Sequence, residues 1–540
     1  MQAIHNPSVR KRLLVIALTL SLWLFFLCRA INVFGPDSND IFFNSDGAIP
    51  VLMANDDRPI TLFDAYYFGS DRWGAWPMLS ARLIHHATKY QWSAQSLHVM
   101  SAIWLFVGIL VMASLSRRDY FAVALVFLIT LCLHWLVRLR LFDVGQVYPW
   151  QITALLLGWY SLRQLLGIVP ADLPRRSLPV KRVVWCFLTY WFSLLAIWSS
   201  FASAPFLLFL AGLEAWRAHF HATGRRSSGK WAIRRSAWGA IPVLLAVLTE
   251  ILMRIYYHQF ALNHYGNEYR TPIAFDYGNL AQNLYRQLVN LEIAYWWPLI
   301  LLPIVALVTL GCTSIYFQRR KRNKPLDRLK GLIADDTFFL ILGSLGIALI
   351  NFALIATVSH VRMNLYDNRY STLTYLFGFI SGLLTLFSVF RMIVRPARIS
   401  NYAVTGLLIA AVAVLAFEFP AKTYSPDYRI YKETAVALAP KCPHCVLMGG
   451  YWETYVFSGL QPINTMIPLP LESQYLRMPW NREKLREASQ VIVEYRHSKL
   501  GSAESPPQVL VQYGNSLRLV DPGWYENEKY AFALYANEAH

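Results

Sequence analysis

Long apolar runs recur along most of this 540-residue chain. A bilayer core of about 30 Å is crossed by roughly 20 apolar residues in a helix, and runs of this kind predict eleven transmembrane helices. Their predicted positions are 13–31, 96–116, 120–137, 147–168, 183–199, 201–216, 237–255, 297–317, 337–358, 371–390 and 402–419. The halves of 183–216 are short, so one bent element is the alternative there. The pattern predicts an all-α polytopic membrane protein.

After residue 419 the pattern changes to short apolar strands that alternate with helical segments. Strands are predicted at 445–450, 465–469, 491–495, 508–513 and 530–535, and helices at 451–459 and 482–488. A tail of about 120 residues can bury a core of its own. We therefore predict two domains, a transmembrane domain at 1–419 and a small soluble α/β domain at 420–540.

Composition supports the membrane class, because 56% of the residues are hydrophobic and only 15% are charged. The first apolar run follows a basic segment, as in a signal peptide. However, no small-residue cleavage site follows it, and Leu27 before Cys28 is too large for a lipoprotein signal. We expect this run to be an uncleaved anchor.

Charge predicts the orientation of the spans. With the N-terminus in the cytoplasm, the predicted cytosolic segments hold 26 of the 50 Lys and Arg residues but only 6 of the 32 Asp and Glu residues. This asymmetry is what the positive-inside rule expects, so the basic run at 319–324 is interpreted as a topology signal and not as a nucleic-acid site. The external loops are then 29–95, 138–146, 255–296 and 359–370. The odd number of spans places the C-terminal domain outside as well.

Two of the six cysteines lie in that external domain, in the sequence Cys442-Pro443-His444-Cys445. This C-P-H-C sequence resembles the redox pair of thioredoxin-fold oxidoreductases, in which the motif follows a strand and opens a helix. Here it precedes a predicted strand. A structural disulfide between Cys442 and Cys445 is the preferred interpretation, ahead of a metal clip and a catalytic thiol.

The large first external loop is acidic, with seven Asp and no Glu. Most of these carboxylates have structural explanations: Asp56 and Asp57 lie in a predicted solvated turn, and Asp64 is expected to cap a helix. Asp46, in the sequence NSDGA, is predicted to lie on a turn. It is the candidate general base.

Further along this loop, the spacing of Trp73, Trp76, Leu79 and Leu83 predicts an aromatic helix at the membrane interface. The adjacent His85 and His86 would face different directions on it. They are interpreted as surface residues and not as a metal pair.

Two other external loops carry arginines. One holds Asp143 near two arginines, and the other holds His360, Arg362, Arg369 and Tyr370. Arginines at a membrane surface can bind a lipid phosphate through paired donors, and snorkelling at helix ends is the alternative for any one of them. A base opposite a phosphate-binding group is the arrangement that attack on a phosphate-linked sugar requires.

Transporters instead place carboxylates inside their spans. In this chain Glu250 is the one candidate there, and Arg254 lies four residues on as a partner for a structural ion pair. Transport is therefore disfavoured.

With these features the chain resembles the GT-C superfamily, integral membrane glycosyltransferases that use polyprenyl-phosphate-linked sugars. The similarity lies in an acidic first external loop, about eleven spans, an Arg-Tyr pair at the outer start of a late span and an external C-terminal domain. It implies that Asp46 is the catalytic first-loop carboxylate, Asp143 the second-loop carboxylate, and Arg369-Tyr370 the pair near the donor phosphate. Many members have Asp-Glu or Asp-x-Asp in the first loop, whereas Asp46 is followed by Gly-Ala. This leaves a requirement for a divalent metal open.

The predicted function is inverting transfer of a sugar from a polyprenyl-phosphate donor to a lipid, glycan or protein acceptor on the external face. Asp46 would act as the base, and Arg369 and Arg362, with Tyr370 and His360, would bind the donor phosphate. The expected partners are the donor, the acceptor and membrane lipids, with no nucleic acid. The sequence has no Asn-x-Ser/Thr sequon, which favours a bacterial inner membrane. The alternatives are a polymerase or ligase of lipid-linked glycans and a flippase or transporter of lipid-linked sugars.

Overall fold

The computed structural model describes residues 45–68, 73–115, 141, 146–167, 178–222, 229–262, 277–289, 304–307, 336–358, 368–393, 426–460, 466–473, 476–497 and 505–539. In this part of the chain, the longer helices before residue 420 are α1 (Ser45–Ala54), α2 (Trp76–Thr88), α3 (Ala94–Leu115), α4 (Tyr148–Gly167), α5 (Leu178–Ser199), α6 (Ser203–Ala222), α7 (Gly229–Tyr256), α8 (Leu280–Val289), α9 (Asp336–Thr357) and α10 (Thr372–Ile393).

Four segments among the described helices are long and apolar enough to cross a membrane: Ala94–Leu115, Val180–Ser199, Ala237–Phe260 and Asp336–Thr357. They coincide with four predicted spans. The spans predicted at 147–168, 201–216 and 371–390 fall on α4, α6 and α10. The spans predicted at 13–31, 120–137 and 402–419, and nearly all of 297–317, lie outside the described residues, so the total of eleven stays a prediction.

The stretch 183–216 forms two helices, not one bent element, since α5 ends at Ser199 and α6 begins at Ser203. Pro205 lies in the first turn of α6, where the missing N–H costs no helical hydrogen bond. Both helices pack against α4. The centre of the bundle is the fully buried Trp159 of α4, and a Cβ on Gly343 of α9 would overlap its ring. Glycine at 343 therefore allows α9 to approach α4 closely.

A buried ionic network joins α4, α6 and α9 at one end of the bundle. Glu214 is fully buried and accepts hydrogen bonds from Trp159 Nε1 (2.7 Å) and Arg163 Nε (2.9 Å). Arg217 pairs with Glu214 and, through Nη1, with Asp336 Oδ1 at 3.2 Å. Each buried charge thus has a partner of opposite sign, as burial requires.

The C-terminal part contains a six-stranded sheet in the order β2-β1-β3-β6-β5-β4. Its strands are β1 (Cys445–Gly449), β2 (Met466–Pro470), β3 (Gln490–Glu494), β4 (Val509–Gln512), β5 (Asn515–Glu526) and β6 (Ala531–Asn537), and its helices are α11 (Pro426–Leu438), α12 (Tyr451–Gly459) and α13 (Asn481–Glu487). The first three strands are parallel, and α12 and α13 form their crossover connections; the other pairings are antiparallel.

The predicted strands coincide with β1, β2, β3, β4 and β6, whereas β5 and α11 were not predicted. Strand β5 follows a two-residue turn in which Tyr513 and Gly514 both have positive φ. It then runs through Asp521-Pro522-Gly523, a sequence typical of a turn. The structure accommodates these residues by irregular pairing with β6 on either side of Asp521, so the strand continues where local sequence indicates that it ends.

Candidate functional site

Asp46 lies in the first turn of α1 and is half-buried. The prediction of a turn at this position is wrong, because the residues from Ser45 onward are helical. A carboxylate at the start of a helix interacts favourably with the helix dipole. The helical geometry also fixes the backbone that carries the Asp46 side chain.

Pro50 explains how the backbone of Asp46 is held. In a regular helix the N–H of residue 50 would bond to the carbonyl of residue 46, but proline has no N–H. The carbonyl oxygen of Asp46 instead accepts a hydrogen bond from the hydroxyl of Tyr67 at 2.7 Å. Tyr67 is itself buried, and its ring meets Trp73 edge to face. The backbone group freed by the proline is therefore satisfied by a side chain from further along the same loop.

Helix α1 packs against α12 of the C-terminal part. The closest approach is at Gly459, where a Cβ would come within 2.8 Å of Ala48 Cβ. Tyr455 and Val456 of α12 join the same buried cluster as Ala48. The helix that carries Asp46 therefore contacts a later part of the first loop through Tyr67 and the C-terminal domain through α12.

A second contact between the same two regions involves Arg58 and Trp480. The Arg58 guanidinium carbon lies 3.2 Å from the Trp480 ring centroid, a cation–π arrangement. Trp480 also meets Phe63 and Phe68 edge to face, with centroids at 5.4 and 4.9 Å. The C-terminal domain therefore contacts the first loop at points before and after its acidic residues 56 and 57.

Two arginines and two aspartates form a buried ionic network inside the first loop. Arg82 Nη1 lies 2.9 Å from Asp64 Oδ1, and its Nη2 lies 3.1 Å from Asp56 Oδ2. Arg58 Nη2 contacts the same two carboxylates at 2.6 and 3.2 Å. The prediction that Asp56 is solvated is wrong, because Asp56 is buried by its pairing with α2.

The prediction that Asp64 caps a helix beginning at DAYYFG is wrong in its position, because Thr61 is the N-cap and Asp64 is the third helical residue. It lies in a 3-10 helix (Leu62–Ala65), and its Oδ2 accepts the Thr61 N–H at 2.6 Å. The prediction that His85 lies at the surface is wrong: His85 is 1% exposed. Its Nδ1 lies 2.8 Å from the Tyr90 carbonyl oxygen, and its Nε2 lies 3.2 Å from Asp57 Oδ1. Burial opposes the ionisation of Asp57, but hydrogen bonds from His85 and Lys89 outweigh it and lower the Asp57 pKa below its usual value.

Helix α2 includes most of the predicted interfacial stretch. Leu83 is exposed, as a residue facing lipid would be, whereas Trp76 is buried. The Trp76 Nε1 donates to Ser199 Oγ at 2.7 Å, and its ring meets Trp104 and Trp150 edge to face. The aromatic side of this helix therefore docks on the bundle.

The predicted phosphate-binding residues are described only in part. Asp143, His360 and Arg362 lie outside the described residues. Arg369, of which the structure describes only the backbone, and Tyr370 belong to a 3-10 helix (Asn368–Ser371) just before α10. Tyr370 packs against Ile355 of α9, and its carbonyl oxygen lies 3.4 Å from the Asn351 Nδ2 donor. The positions of Arg369 and Tyr370 are thus set by α9 and α10.

The ion pair predicted between Glu250 and Arg254 is present, with Arg254 Nε 2.8 Å from Glu250 Oε1. Tyr66 donates its hydroxyl to the same carboxylate oxygen at 3.2 Å. This contact joins α7 to the first external loop. The pair therefore has a structural role at the edge of the candidate site.

The residues that sequence analysis missed are Tyr67, Gly459 and Trp480. Nothing in the sequence pairs residue 48 with residue 459, since no local pattern links positions so far apart. Cys442 and Cys445 form a disulfide that joins the first residue of β1 to the turn before it, with Cα atoms 5.5 Å apart. Among the described residues, no group of three His, Cys, Asp or Glu side chains could hold a metal ion.

Solved structures that resemble this chain include an ArnT and an oligosaccharyltransferase. ArnT from Cupriavidus metallidurans bound to undecaprenyl phosphate is 11% identical, and the match covers 97% of each chain with a TM-score of 0.49. The Archaeoglobus fulgidus oligosaccharyltransferase tethered with an acceptor peptide is 11% identical, with 88% of this chain and 69% of that chain covered and a TM-score of 0.42. No protein-family model and no curated protein matches the chain. At these identities and TM-scores the likeness says nothing about substrate or catalytic residues.

Proposed function

We propose that this chain is a membrane glycosyltransferase of the GT-C type that moves a sugar from a polyprenyl-phosphate donor to a lipid, glycan or protein acceptor on the external face of a bacterial inner membrane. The observation that carries the proposal is the placement of Asp46. It is a half-buried carboxylate in a helical turn whose backbone is fixed by Tyr67 and by packing on the C-terminal domain. A general base needs such a support, because catalysis requires the reacting groups to be held in place.

In the proposed reaction, the Asp46 carboxylate removes the proton from an acceptor hydroxyl. The hydroxyl oxygen attacks the anomeric carbon of the donor sugar as the bond from that carbon to the phosphate oxygen breaks. The configuration at the anomeric carbon inverts, and the polyprenyl phosphate leaves with the electron pair of the broken bond. Arg369, with Arg362, His360 and Tyr370, would stabilise the departing phosphate.

Asp143 would be the second carboxylate of this site, and a divalent metal at the site is left open. The proposed domains are 1–419, which carries the chemistry, and 420–540, which lies outside the membrane and covers the first loop. For a flippase or transporter, the carboxylates to consider on the described helices that coincide with predicted spans are Glu214 and Glu250. Both are fully buried and already paired with arginines, an arrangement that suits a structural role better than ion transport.

The test compares purified wild-type protein with an Asp46→Asn variant, each supplied with a panel of radiolabelled polyprenyl-phosphate sugars and membrane lipid acceptors. We expect transfer to fall by about 10²- to 10⁴-fold in the variant, the usual contribution of a general base. Asp57→Asn is the matched control, since this aspartate of the same loop is half exposed and pairs with Lys89 at the surface. Unchanged transfer by the Asp46→Asn variant would contradict the base assignment. Absence of transfer and of donor hydrolysis in the wild type would contradict the enzymatic function.

A further inference from the structure

Gly459 lies where the C-terminal domain touches the helix of the proposed base. A Cβ at position 459 would come within 2.8 Å of Ala48 Cβ, 3.1 Å of Ala48 Cα and 3.2 Å of the Ala48 carbonyl oxygen. These atoms belong to the backbone or are attached directly to it, so they cannot move away as the end of a flexible side chain could. Any side chain at 459 would therefore displace the backbone of α1.

Such a displacement would reach Asp46, which lies two residues before Ala48 in the same turn. Ala48 is fully buried, so α1 has no open space beside this contact. On the other side, the Asp46 carbonyl is held by the Tyr67 hydroxyl. The position of the Asp46 turn is thus set jointly by the first loop and by α12.

Helix α12 is itself anchored to the sheet of the C-terminal domain. Phe457 is fully buried and meets Tyr530 and Phe532 edge to face, with centroids at 5.0 and 5.6 Å. The hydroxyl of Tyr455 accepts the Arg477 N–H at 2.6 Å. One side of α12 is therefore held within the domain, and the other side presents Gly459 to α1.

The contact of Arg58 with Trp480 holds the same loop to the same domain at a second point. Trp480 immediately precedes α13, one of the crossover helices of the sheet. Two elements of one domain thus contact the loop that carries Asp46. The C-terminal domain can therefore fix this loop at two points, Ala48 and Arg58.

We infer that the C-terminal domain positions the proposed base, and that Gly459 is the positioning residue that sets the distance between α12 and the Asp46 turn. This inference rests on the proposed function, in which Asp46 accepts the proton of the acceptor. The domain contributes no reacting group in this scheme. Its role is to fix the position of the Asp46 carboxylate that the reaction requires.

The experiment uses the full-length protein in lipid nanodiscs and compares Gly459→Ala with the double variant Ala48→Gly/Gly459→Ala. The double variant removes the nearest clashing atom, Ala48 Cβ. Gly523→Ala is the matched control, because Gly523 lies in the same domain with open space around it. The readouts are kcat and KM for a radiolabelled polyprenyl-phosphate sugar, and amide hydrogen exchange of residues 45–54.

We expect Gly459→Ala to lower kcat by about 10- to 100-fold, since a displacement of about 1 Å can cost 100-fold, with KM for the donor changed less than about twofold. Exchange at 45–54 should become faster. The double variant should regain most of the lost kcat and slow the exchange again, and Gly523→Ala should match the wild type in every readout. A general loss of stability would instead lower the amount of active protein and leave kcat per active molecule unchanged.

The inference is overturned if Gly459→Ala folds and keeps the wild-type kcat, or if the double variant fails to recover both turnover and slow exchange. If Gly459→Ala does not fold, the inference is tested by the double variant alone, through its kcat and its amide exchange at 45–54. Failure of the proposed function is distinguishable, because an active Asp46→Asn variant would remove the role of Asp46 while the exchange at 45–54 still reported the contact with Gly459.

Discussion

Glu494 is a buried carboxylate at the end of β3 in the C-terminal domain, with a side chain that is 1% exposed. Burial raises its pKa to about 7, although the backbone amides of His497 and Arg496 partly oppose this shift. The pKa of Glu453, in the first turn of α12, is raised by burial and by the charge of Glu494. Burial lowers the pKa of His497. The raised pKa of Glu494 makes the domain sensitive to pH near neutrality.

The sign of this dependence follows from proton linkage. Between the ordinary carboxyl pKa of about 4.5 and the folded value of about 7, the folded domain binds more protons at Glu494 than the unfolded chain does. The contribution of Glu494 to stability is therefore present below this window and is lost as pH rises through it. It amounts to about 3 kcal/mol at most, because one pKa unit corresponds to about 1.4 kcal/mol. His497, whose pKa is lowered, has the opposite pH dependence: its contribution to stability increases as pH rises.

We expect a Glu494→Gln substitution to remove the Glu494 contribution alone. Amide exchange of β3, measured on the full-length protein at pH 5 and pH 8 and corrected for intrinsic rates, should show the variant more protected than the wild type at pH 8 and similar to it at pH 5. Glu487→Gln, at an exposed carboxylate that pairs with Lys484, is the control and should show no such difference. Equal pH dependence in wild type and Glu494→Gln would contradict the prediction.

At the scale of elements, the first loop is organised by a network of four charged side chains, two arginines and two aspartates, whose charges sum to zero. Arg82 is 1% exposed and contacts Asp56 and Asp64 together, so it joins α2 to the segment that follows α1. Removing one partner of a buried ionic group leaves charge without compensation. The first loop therefore depends more on Arg82 than on any exposed ion pair.

We expect Arg82→Met to lower the local unfolding free energy of the first loop by about 3–5 kcal/mol, since the two buried carboxylates would then share Arg58 alone, which leaves one buried negative charge uncompensated. Arg429→Met is the matched control, because the pair of Arg429 with Glu433 is exposed on both sides and such pairs contribute at most about 1 kcal/mol. Amide exchange of residues 45–68 and 76–88 in the full-length protein measures the difference. A similar, small effect of both substitutions would contradict the role of Arg82.

Local patterns in the sequence predict helices and strands better than they predict tertiary contacts. The helix predicted at 451–459 has the bounds of α12, because Gly449 and Gly450 just before it and Gly459 at its end mark both limits locally. The solvated turn predicted for Asp56 is wrong, because its partner Arg82 lies 26 residues away. Strand β5 was missed because Pro522 and Gly523 locally favour a turn. Asp46 as the base stays a prediction, and its contacts with Tyr67 and Gly459 depend on tertiary structure that has no local signal.

At the scale of the whole molecule, hydrogen bonds define the two ends of the described bundle. Gln151 near the start of α4 bonds to Ser203 at the start of α6, at 2.9 Å. Ser199 at the end of α5 bonds to Trp76 of the first loop. The ionic network of Glu214 lies further along α4 and α6 and also takes in Asp336 at the start of α9. In the orientation that the charges predict, the first loop is external and residues 214 and 336 lie at the cytosolic ends of their spans.

This sidedness predicts that the C-terminal domain and the loop between α6 and α7 lie on opposite sides of the membrane. In a background with the free cysteines replaced, we expect Val511→Cys to react with a membrane-impermeant maleimide in intact spheroplasts, since Val511 is 69% exposed on the edge strand β4. Ser227→Cys, in the basic segment 214–236 predicted to be cytosolic, should react only after the membrane is made permeable. Labelling of Ser227→Cys but not of Val511→Cys in intact spheroplasts would show that the topology is the reverse of the predicted one. The Asp46 carboxylate would then face the cytoplasm, and transfer on the external face would be excluded.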